Sequence, residues 1–238
     1  MKVVAVIPTY NELDCTPKIV PEVLKQSDAI HVLVVDDNSP DGTGESADKL
    51  STEYPGRVFV LHRKEKKGRG YAGAAGFKWA LDNGYDAIIE MDADFSHNPK
   101  YIPDLLNALE DADLVLGSRM VEGGKEMGRH PLRTMVTQLA NLYIRVILGL
   151  KVKDCNSGFR CFKRSVLDAI NPDKIESDGP GIVQEVLFKA HLLGFKIKEI
   201  PIVFEERKLG TSKINLKVLI NGYFLVPRLK LLKALGKL

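Results

Sequence analysis

The sequence contains no uninterrupted apolar run of the roughly 18 to 20 residues that a membrane-spanning helix requires. The nearest approach, LANLYIRVILGL at 139–150, carries Arg145 in its middle. The opening run VVAVI is ended by Pro8 after five residues, too short for the core of a secretory leader. A chain that is soluble, or that lies on a membrane without crossing it, is expected. Cysteine is scarce. Cys15, Cys155 and Cys161 form no Cys-x-x-Cys pair and no histidines cluster with them, which speaks against a disulfide frame or a zinc site and points to reduced intracellular thiols. Charge of one sign is missing too. The 34 Lys and Arg residues against 31 Asp and Glu leave a formal charge of +3. The basic residues also lack the interleaved aromatics of a base-stacking platform, so nucleic acid is not an expected partner. No internal repeat or low-complexity linker divides the chain, and 238 residues suffice for one substantial core with a small appendage.

What is present is an alternation. Short runs rich in Val and Ile at 2–8, 29–37, 57–63, 86–92 and 113–119 predict strands. The segments between them, 17–27, 43–53, 70–83 and 99–111, space their apolar residues as helices do. The pattern implies an α/β fold with a mainly parallel sheet covered on both faces, whose ligands gather beyond the C-terminal ends of the strands. After about residue 120 the order loosens into a Gly- and charge-rich loop (122–130), a long helical segment (131–149), the stretch DCNSGFRCFKR, a helix near 181–194 and an extended run KIKEIPIVFEER. The last segment, 214–238, again has helical spacing, and its only charges are Lys217, Arg228, Lys230, Lys233 and Lys237. Pro227 is expected to kink or divide it. A basic amphipathic segment of this kind suits an anionic membrane surface or a hydrophobic partner, or else packs on the core.

The polar signatures sit where the predicted strands end: PTYNE, DDNSPDGT, DADFSH and SRMVEGG. Asp92 and Asp94 lie one residue apart, and two carboxylates that close repel each other unless a cation or a set of donors neutralises them. A solvated strand end capped by Ser96 or Asn98 is one reading. A hard-oxygen site for Mg²⁺ or Mn²⁺, shared with substrate phosphates, is the other. Asp36 and Asp37 can accept hydrogen bonds from a base or ribose, or serve as turn chemistry. Gly68, Gly70, Gly73 and Gly76 miss the dinucleotide fingerprint and no G-K-[ST] follows, so they read as a basic loop feeding a helix whose small residues pack close to the sheet. Arg119, Arg129, Arg133, Arg160, Arg207, Lys208 and Lys213 fall on loops assigned to the same rim, and Arg favours bidentate recognition of phosphate.

In this order, PTYNE, VVDDNSPDGT, RKEKKGRGYAG, MDADFSHNP, GSRMVEGG, NSGFR and EERKLGTSK resemble the family-2 glycosyltransferases of GT-A fold, and closely the dolichol (polyprenol) phosphate mannose synthases, over nearly all of residues 1–215. The resemblance implies a Rossmann-like single catalytic domain over 1–213 and a membrane-surface or partner-contacting segment with amphipathic helices over 214–238. It implies inverting transfer of mannose from GDP-mannose to a dolichyl or polyprenyl phosphate with Mg²⁺ or Mn²⁺. Position by position, Pro8, Tyr10, Glu12, Val35 and Asp37 correspond to the guanosine pocket. Asp92, Ala93 and Asp94 correspond to the groups that hold ribose, diphosphate and metal, with Ser96 the next metal-side ligand where some relatives carry Gln. Arg119, Arg133 and Arg207 correspond to the clamp on donor and acceptor phosphates, Thr137 to a donor toward the acceptor phosphate where relatives carry Ser, and Lys213 to the end of the donor-side loop. The roles implied as catalytic fall on Asp92, Asp94, Arg119, Arg133 and Arg207. Many relatives append transmembrane helices; with the sequence ending at Leu238, lipid contact is expected through the C-terminal segment or a small membrane-protein subunit. A peripheral location on the cytoplasmic face follows, at the ER membrane in a eukaryote or the cell membrane in a prokaryote.

A lipid phosphate is already anionic and needs no general base, in keeping with the lack of an evident Ser–His or Cys–His pair. A related transferase using UDP-glucose or another donor onto polyprenyl phosphate is one alternative; an acceptor that is a hydroxyl instead would need a base, and Asp154 or Glu185 are the candidates. Asp92 and Asp94 are too close to oppose each other across a sugar as glycosidase carboxylates do. A non-catalytic nucleotide-binding subunit is the remaining alternative, against which the intact Asp92, Asp94, Arg119 and Arg207 speak.

Overall fold

The structure of the protein, a computed structural model, describes residues 1–65, 67–206, 216–236 and 238, with side chains in the last helix from residue 222. The first half alternates β1 (Val3–Thr9), α1 (Thr16–Leu24), β2 (Ile30–Asp36), α2 (Thr43–Glu53), β3 (Val58–His62), α3 (Arg69–Asp82) and β4 (Ala87–Glu90). A 3-10 turn then leads into α4 (Ile102–Ala108) and β5 (Leu114–Ser118). The second half holds β6 (Lys125–Met127), α5 (Pro131–Leu148), β7 (Arg160–Lys163), α6 (Arg164–Ile170), α7 (Ile182–Leu192), β8 (Ile197–Pro201), β9 (Val203–Glu205) and α8 (Leu216–Ala234).

Seven strands form one sheet in the order β3-β2-β1-β4-β7-β5-β8, every pairing parallel except those of β7, which runs antiparallel to both neighbours. The five strands expected from the first half are all present, and the mainly parallel α/β architecture follows from them. Strand residues alternate between two apolar layers. Val4, Val6, Leu33, Val35, Ile88 and Leu116 face one layer, into which α3, α7 and α8 pack. Val3, Ala5, Ile7, Val32, Val34 and Ile89 face the other, against α1, α2 and α4. β6 and β9 make a separate two-stranded parallel ribbon.

The small residues of α3 have a steric reason. A Cβ at Gly76 would come within 2.3 Å of Val6 Cγ1, so only glycine lets the helix lie this close to the sheet. At Gly70 the obstacle is different, the Ser177 carbonyl oxygen at 1.8 Å, and the Gly70 N–H donates to the Asp178 carbonyl at 3.1 Å. The start of α3 is thus pinned to the 177–178 backbone.

Of the two outcomes expected at Pro227, kink or division, division does not occur, for helix α8 runs through it as one element. Proline removes the N–H that would bond the carbonyl four residues earlier, here that of Tyr223. That carbonyl accepts instead from the Tyr143 hydroxyl at 3.2 Å, while the two tyrosine rings stack with centroids 4.8 Å apart. The inner side of α8 is core, with Val226 and Leu229 buried, whereas Tyr223, Phe224, Leu231 and Leu235 are exposed. α5 presents an apolar face outward as well: Leu132, Met135, Val136, Leu139, Leu142 and Val146 are each at least half exposed. Among the described residues no helix is long and apolar enough to cross a membrane.

Cys15, Cys155 and Cys161 are buried, and no disulfide joins them. Burial pushes the Cys155 thiol up to about 12, with Asp154 and Glu199 adding to it, and burial raises Cys161 further. Since the thiolate is the reactive form, an aromatic disulfide reagent at pH 8 is expected to leave all three unlabelled in the native protein and to label all three after denaturation; rapid native labelling would show that these sites open readily.

Candidate active site

The loops beyond β1, β2 and β4 share one rim, and hydrogen bonds lock the first two together. Asn11 and Glu12 donate their backbone N–H groups to Ser39 Oγ and Thr43 Oγ1, each at 3.0 Å, and Leu13 N–H reaches Asp41 Oδ2 at 3.2 Å. Asn11, Asn38 and Phe95, one in each loop, adopt left-handed backbone angles of 55°, 59° and 64°. Asparagine tolerates this region, but phenylalanine does so at a cost. The surrounding turn sustains it: Asp94 Oδ1 accepts from the Ser96 N–H at 3.0 Å and from the Ser96 hydroxyl at 2.6 Å. Strain held in place at a strand mouth is a mark of a functional loop.

The carboxylates at the β4 mouth form a charge cluster. Glu90, fully buried, is the direct cross-strand partner of Arg160 on β7, which is also fully buried. Arg160 donates to Glu90 Oε2, at 2.9 Å from Nε, and to the Val183 carbonyl at 2.9 Å. Arg69, from the first turn of α3, spans Glu90 Oε1 at 3.2 Å and Asp92 Oδ1 at 2.8 Å. Burial works against the Arg69 charge, but Asp92 and Glu90 outweigh it and hold its pKa above the ordinary value. Glu90, Asp92 and Asp94 against Arg69 and Arg160 leave one negative charge in excess. His97 lies beneath, its Nδ1 accepting from the Asp92 N–H at 3.0 Å and its ring stacked on Phe159 at 5.3 Å. Burial holds its pKa below the usual imidazole value despite the pull of Asp92 and Asp94. His97 is therefore a neutral prop with its proton on Nε2, an assignment that follows from the hydrogen bond.

A second cluster lies beyond β5. Arg119 donates to both carboxylate oxygens of Asp154 at 2.7 Å, faces Glu126 at 3.3 Å and sits 5.0 Å over the Phe204 ring. Glu126 also receives Arg129 at 2.7 Å and the Thr134 hydroxyl at 2.8 Å. Arg133 pairs with Glu206 but is 58% exposed, so its guanidinium can be drawn to another anion. Phe204 lies between the clusters, its centroid 6.1 Å from that of His97.

The residues read from sequence as binding groups are distributed unevenly. Asp92 is at the mouth, with its side chain 35% exposed, and Asp94 beside it is buried in its turn. Pro8, Tyr10 and Glu12 are half-buried on the rim. Asp37 is there too, but it accepts from Arg63 and from the backbone N–H groups of Lys67 and Gly68, at 3.3 and 2.8 Å, and so fixes the loop before α3. The side chains of Val35 and Ala93 belong to the core; at these two positions only backbone can reach a ligand. Ser96 serves Asp94 as a hydrogen-bond donor. Thr137 is half-exposed on α5, one turn beyond Arg133. Arg207, Lys208 and Lys213 lie outside the described residues.

Three assignments change. Arg160, grouped with the phosphate-facing arginines, is instead a buried cross-strand partner of Glu90. Asp154 is fully buried and engaged by Arg119, and Glu185 accepts the N–H groups of Glu176 and Ser177 and pairs with Lys189 at 2.7 Å. Neither is placed to act as a base. Arg69 and Glu126 escaped sequence reading altogether, since nothing in a local pattern pairs Arg69 with a carboxylate 23 positions away. NSGFR also acquires a structural account. Asn156 bridges Asn141 and Gln184, each at 2.8 Å, and the Ser157 hydroxyl donates to the Gly117 carbonyl. A Cβ on Gly158 would press within 2.9 Å of Arg69 Nη2.

An open α/β sheet with carboxylates at the β4 mouth and arginines beyond β5 is a GT-A-type architecture, the class of glycosyltransferases. The chain belongs to the family described as glycosyl transferase family 2, whose model matches residues 4–170. It is 46% identical over 215 residues to the undecaprenyl-phosphate mannosyltransferase of Micrococcus luteus, covering 90% of this chain and 88% of that protein. It is 42% identical to the polyprenol monophosphomannose synthase of Mycolicibacterium smegmatis, covering 90% and 81%. The dolichol-phosphate mannosyltransferase of Pyrococcus furiosus is 34% identical over 92% of this chain and 61% of its own length. In fold it is similar to glucosyl-3-phosphoglycerate synthase from Mycobacterium tuberculosis, solved with Mn²⁺, UDP and glucosyl-3-phosphoglycerate, at a TM-score of 0.70 and 20% identity, covering 99% of this chain and 80% of that one.

Proposed function

We propose that the protein transfers mannose from GDP-mannose to a polyprenyl phosphate, with inversion at the anomeric carbon. The observation that carries this reading is that, among the described residues, the candidate bases Asp154 and Glu185 are spent internally and His97 is buried with its Nδ1 engaged, at a rim otherwise equipped for anions. Such a site suits an acceptor that arrives already ionised. The names of the similar mannosyltransferases point to the same acceptor class. An acceptor phosphate oxygen would attack the sugar C1 as the bond from C1 to the diphosphate oxygen breaks, giving mannosyl-phosphoryl lipid and GDP, with no proton to remove.

Asp92 and Asp94 fit a divalent ion of the hard, oxygen-loving kind. The cluster carries one excess negative charge, and among the described residues no three His, Cys, Asp or Glu side chains are placed to hold a metal ion by themselves. An ion held here needs phosphate oxygens to complete its shell, as Mg²⁺ and Mn²⁺ commonly do. When bound, that ion would neutralise charge developing on the departing diphosphate. Ser96 keeps Asp94 oriented, Arg69 holds Asp92, and the exposed Arg133 with Thr137 lies where an acceptor phosphate can be drawn in. Arg119, clasped by Asp154, fixes the edge of that site. Removing Arg69 takes a competing cation from Asp92, so Arg69→Ala is expected to bind Mn²⁺ about fivefold more tightly, the size of a partly exposed ion pair. Isothermal titration would show it; weaker Mn²⁺ binding would place Arg69 in support of the metal instead.

The lipid would be met on the membrane surface through the outward apolar faces of α5 and α8. Because Val226 and Leu229 of α8 are core, deletion of 214–238 would disturb the fold, and surface substitutions are the better probe. Leu139→Glu with Val146→Glu on α5 is expected to lower affinity for lipid vesicles by at least about tenfold while leaving the melting temperature nearly unchanged. Undiminished sedimentation with vesicles would move the contact elsewhere.

The deciding assay is transfer of labelled mannose from GDP-mannose to a short polyprenyl phosphate, with and without Mn²⁺, beside UDP-glucose. Mn²⁺-dependent transfer from GDP-mannose alone supports the full reading. Transfer from UDP-glucose alone corrects the donor, and silence with both together with failure to bind GDP overturns it.

A further inference from the structure

A cavity of about 230 Å³ lies between one flank of α5 and the loops that follow β5 and α5, lined by Met120, Gln138, Asn141, Leu142, Arg145 and Lys153. Its four α5 residues recur at i, i+3, i+4 and i+7, so a single stripe of the helix supplies that wall. The stripe is distinct from the side carrying Tyr143, which meets α8. The lining offers a guanidinium, an ammonium and two amides, and no carboxylate. The acidic residues nearby in the chain are already engaged: Asp154 by Arg119, and Glu199 by the backbone N–H groups of Lys153 and Asp154 at 2.7 and 2.9 Å. Arg145 stands out most. Its Nε is buried without a hydrogen-bond partner, and neither its guanidinium nor the Lys153 ammonium forms an ion pair among the described residues. A guanidinium that lines a cavity without an ion-pair partner is a ready donor to an entering oxyanion.

We infer that this cavity is a phosphate-binding subsite separate from the Asp92–Asp94 centre. Arg145 would take two oxygens of the phosphate, Lys153 would supply the second positive charge, and the Gln138 side-chain amide would complete the donor set, the Asn141 amide being engaged with Asp154 and Asn156. The cavity is small for a nucleoside but roomy for one phosphate. Leu142 belongs both to its wall and to the outward apolar face of α5, so a phospholipid whose acyl chains meet that face could place its headgroup phosphate here. A free phosphate offers the same chemistry. The headgroup source rests on α5 lying against a membrane; the phosphate chemistry does not, and neither depends on the mannosyl donor or acceptor.

The test uses the full chain and its Arg145→Gln/Lys153→Gln variant, in two assays that require no catalysis. The first is cosedimentation with phosphatidylglycerol vesicles and with phosphate-free galactolipid vesicles given the same surface charge by oleate. The second is the thermal shift produced by inorganic phosphate against chloride at equal ionic strength. The parent is expected to prefer phosphatidylglycerol, and the double variant to lose about tenfold or more in that binding, the loss expected for two basic residues near an anionic surface. This result without competition by inorganic phosphate assigns the lipid headgroup. Stabilisation by inorganic phosphate that vanishes in the variant, with equal binding to both vesicles, assigns free phosphate. A parent that distinguishes phosphate in neither assay overturns the inference. Should the double variant unfold, Lys153→Gln, at an exposed loop position, carries the same comparison, and indifference to that change in both assays is equally fatal.

Discussion

Asp94→Asn is expected to reduce Mn²⁺-supported mannosyl transfer by roughly a hundredfold to a thousandfold, the range for removing one preorganised electrostatic group from a reacting centre. The substitution is chosen because the turn should survive it. Asp94 Oδ1 accepts from both the N–H and the hydroxyl of Ser96, and an asparagine side-chain oxygen can accept the same two bonds. Phe95 can then keep its left-handed backbone, and the melting temperature should stay close to that of the parent. What disappears is the negative charge, and with it the attraction for a divalent ion. The loss should therefore appear as a raised Mn²⁺ requirement as well as a lower turnover. Asp92→Asn is a less clean companion, because Asp92 also neutralises Arg69 and its N–H holds His97. Undiminished activity of Asp94→Asn at low Mn²⁺ would remove Asp94 from the metal and leave the β4 mouth as a turn with unusual charge.

Where local chemistry decides structure, much was legible in advance. Runs such as VVAVIP and HVLVVD can hardly be anything but buried strands, and their C-terminal loops duly collect on one rim with Asp92 at the mouth. The misses arise where the deciding partner is remote. Arg160 reads as a surface cation because a lone arginine in a four-residue strand gives no hint of Glu90, 70 positions earlier. Asp154 reads as a possible base until Arg119 is seen to occupy both of its oxygens. Val35 and Ala93 illustrate a different limit. A motif marks which loop meets a ligand but not which of its side chains point inward, because strand alternation places neighbours on opposite faces. α5 shows the same limit on the surface. The sequence marks 131–149 as a long helical segment, but only the packed structure shows that Leu139, Leu142 and Val146 turn away from the core. Pro227 reads as a kink or a division of the last segment; α8 stays undivided where a hydroxyl from a residue 80 positions away, Tyr143, satisfies the carbonyl that proline orphans.

The largest effect on stability is expected at the hidden pair. Glu90→Gln or Arg160→Met removes one partner of a fully buried ion pair and leaves the other charge short of compensation, and breaking such a pair typically destabilises by about 3–5 kcal/mol. For a chain of this size that lowers Tm by roughly 10 °C or more, read from calorimetric or circular-dichroism melts. The two changes should differ in their reach. Arg160→Met leaves Glu90 with Arg69, which can move inward to serve it and so loosen its hold on Asp92. A loss of activity beyond the loss of folded protein is therefore expected. Glu90→Gln leaves Arg160 with the Val183 carbonyl and a neutral amide, while Arg69 still has Asp92. Its folded fraction should keep more of the activity. The double replacement Glu90→Leu/Arg160→Met should recover part of the lost stability, since apolar residues tolerate this position between strands better than one unpaired charge. If either single change melted with the parent, the pair would be solvated in the native protein and could not be what anchors β7 beside β4. If the double variant were no more stable than the singles, the geometry of the hydrogen bonds would matter more than the burial of charge, and Arg160 would owe its place to Val183 as much as to Glu90.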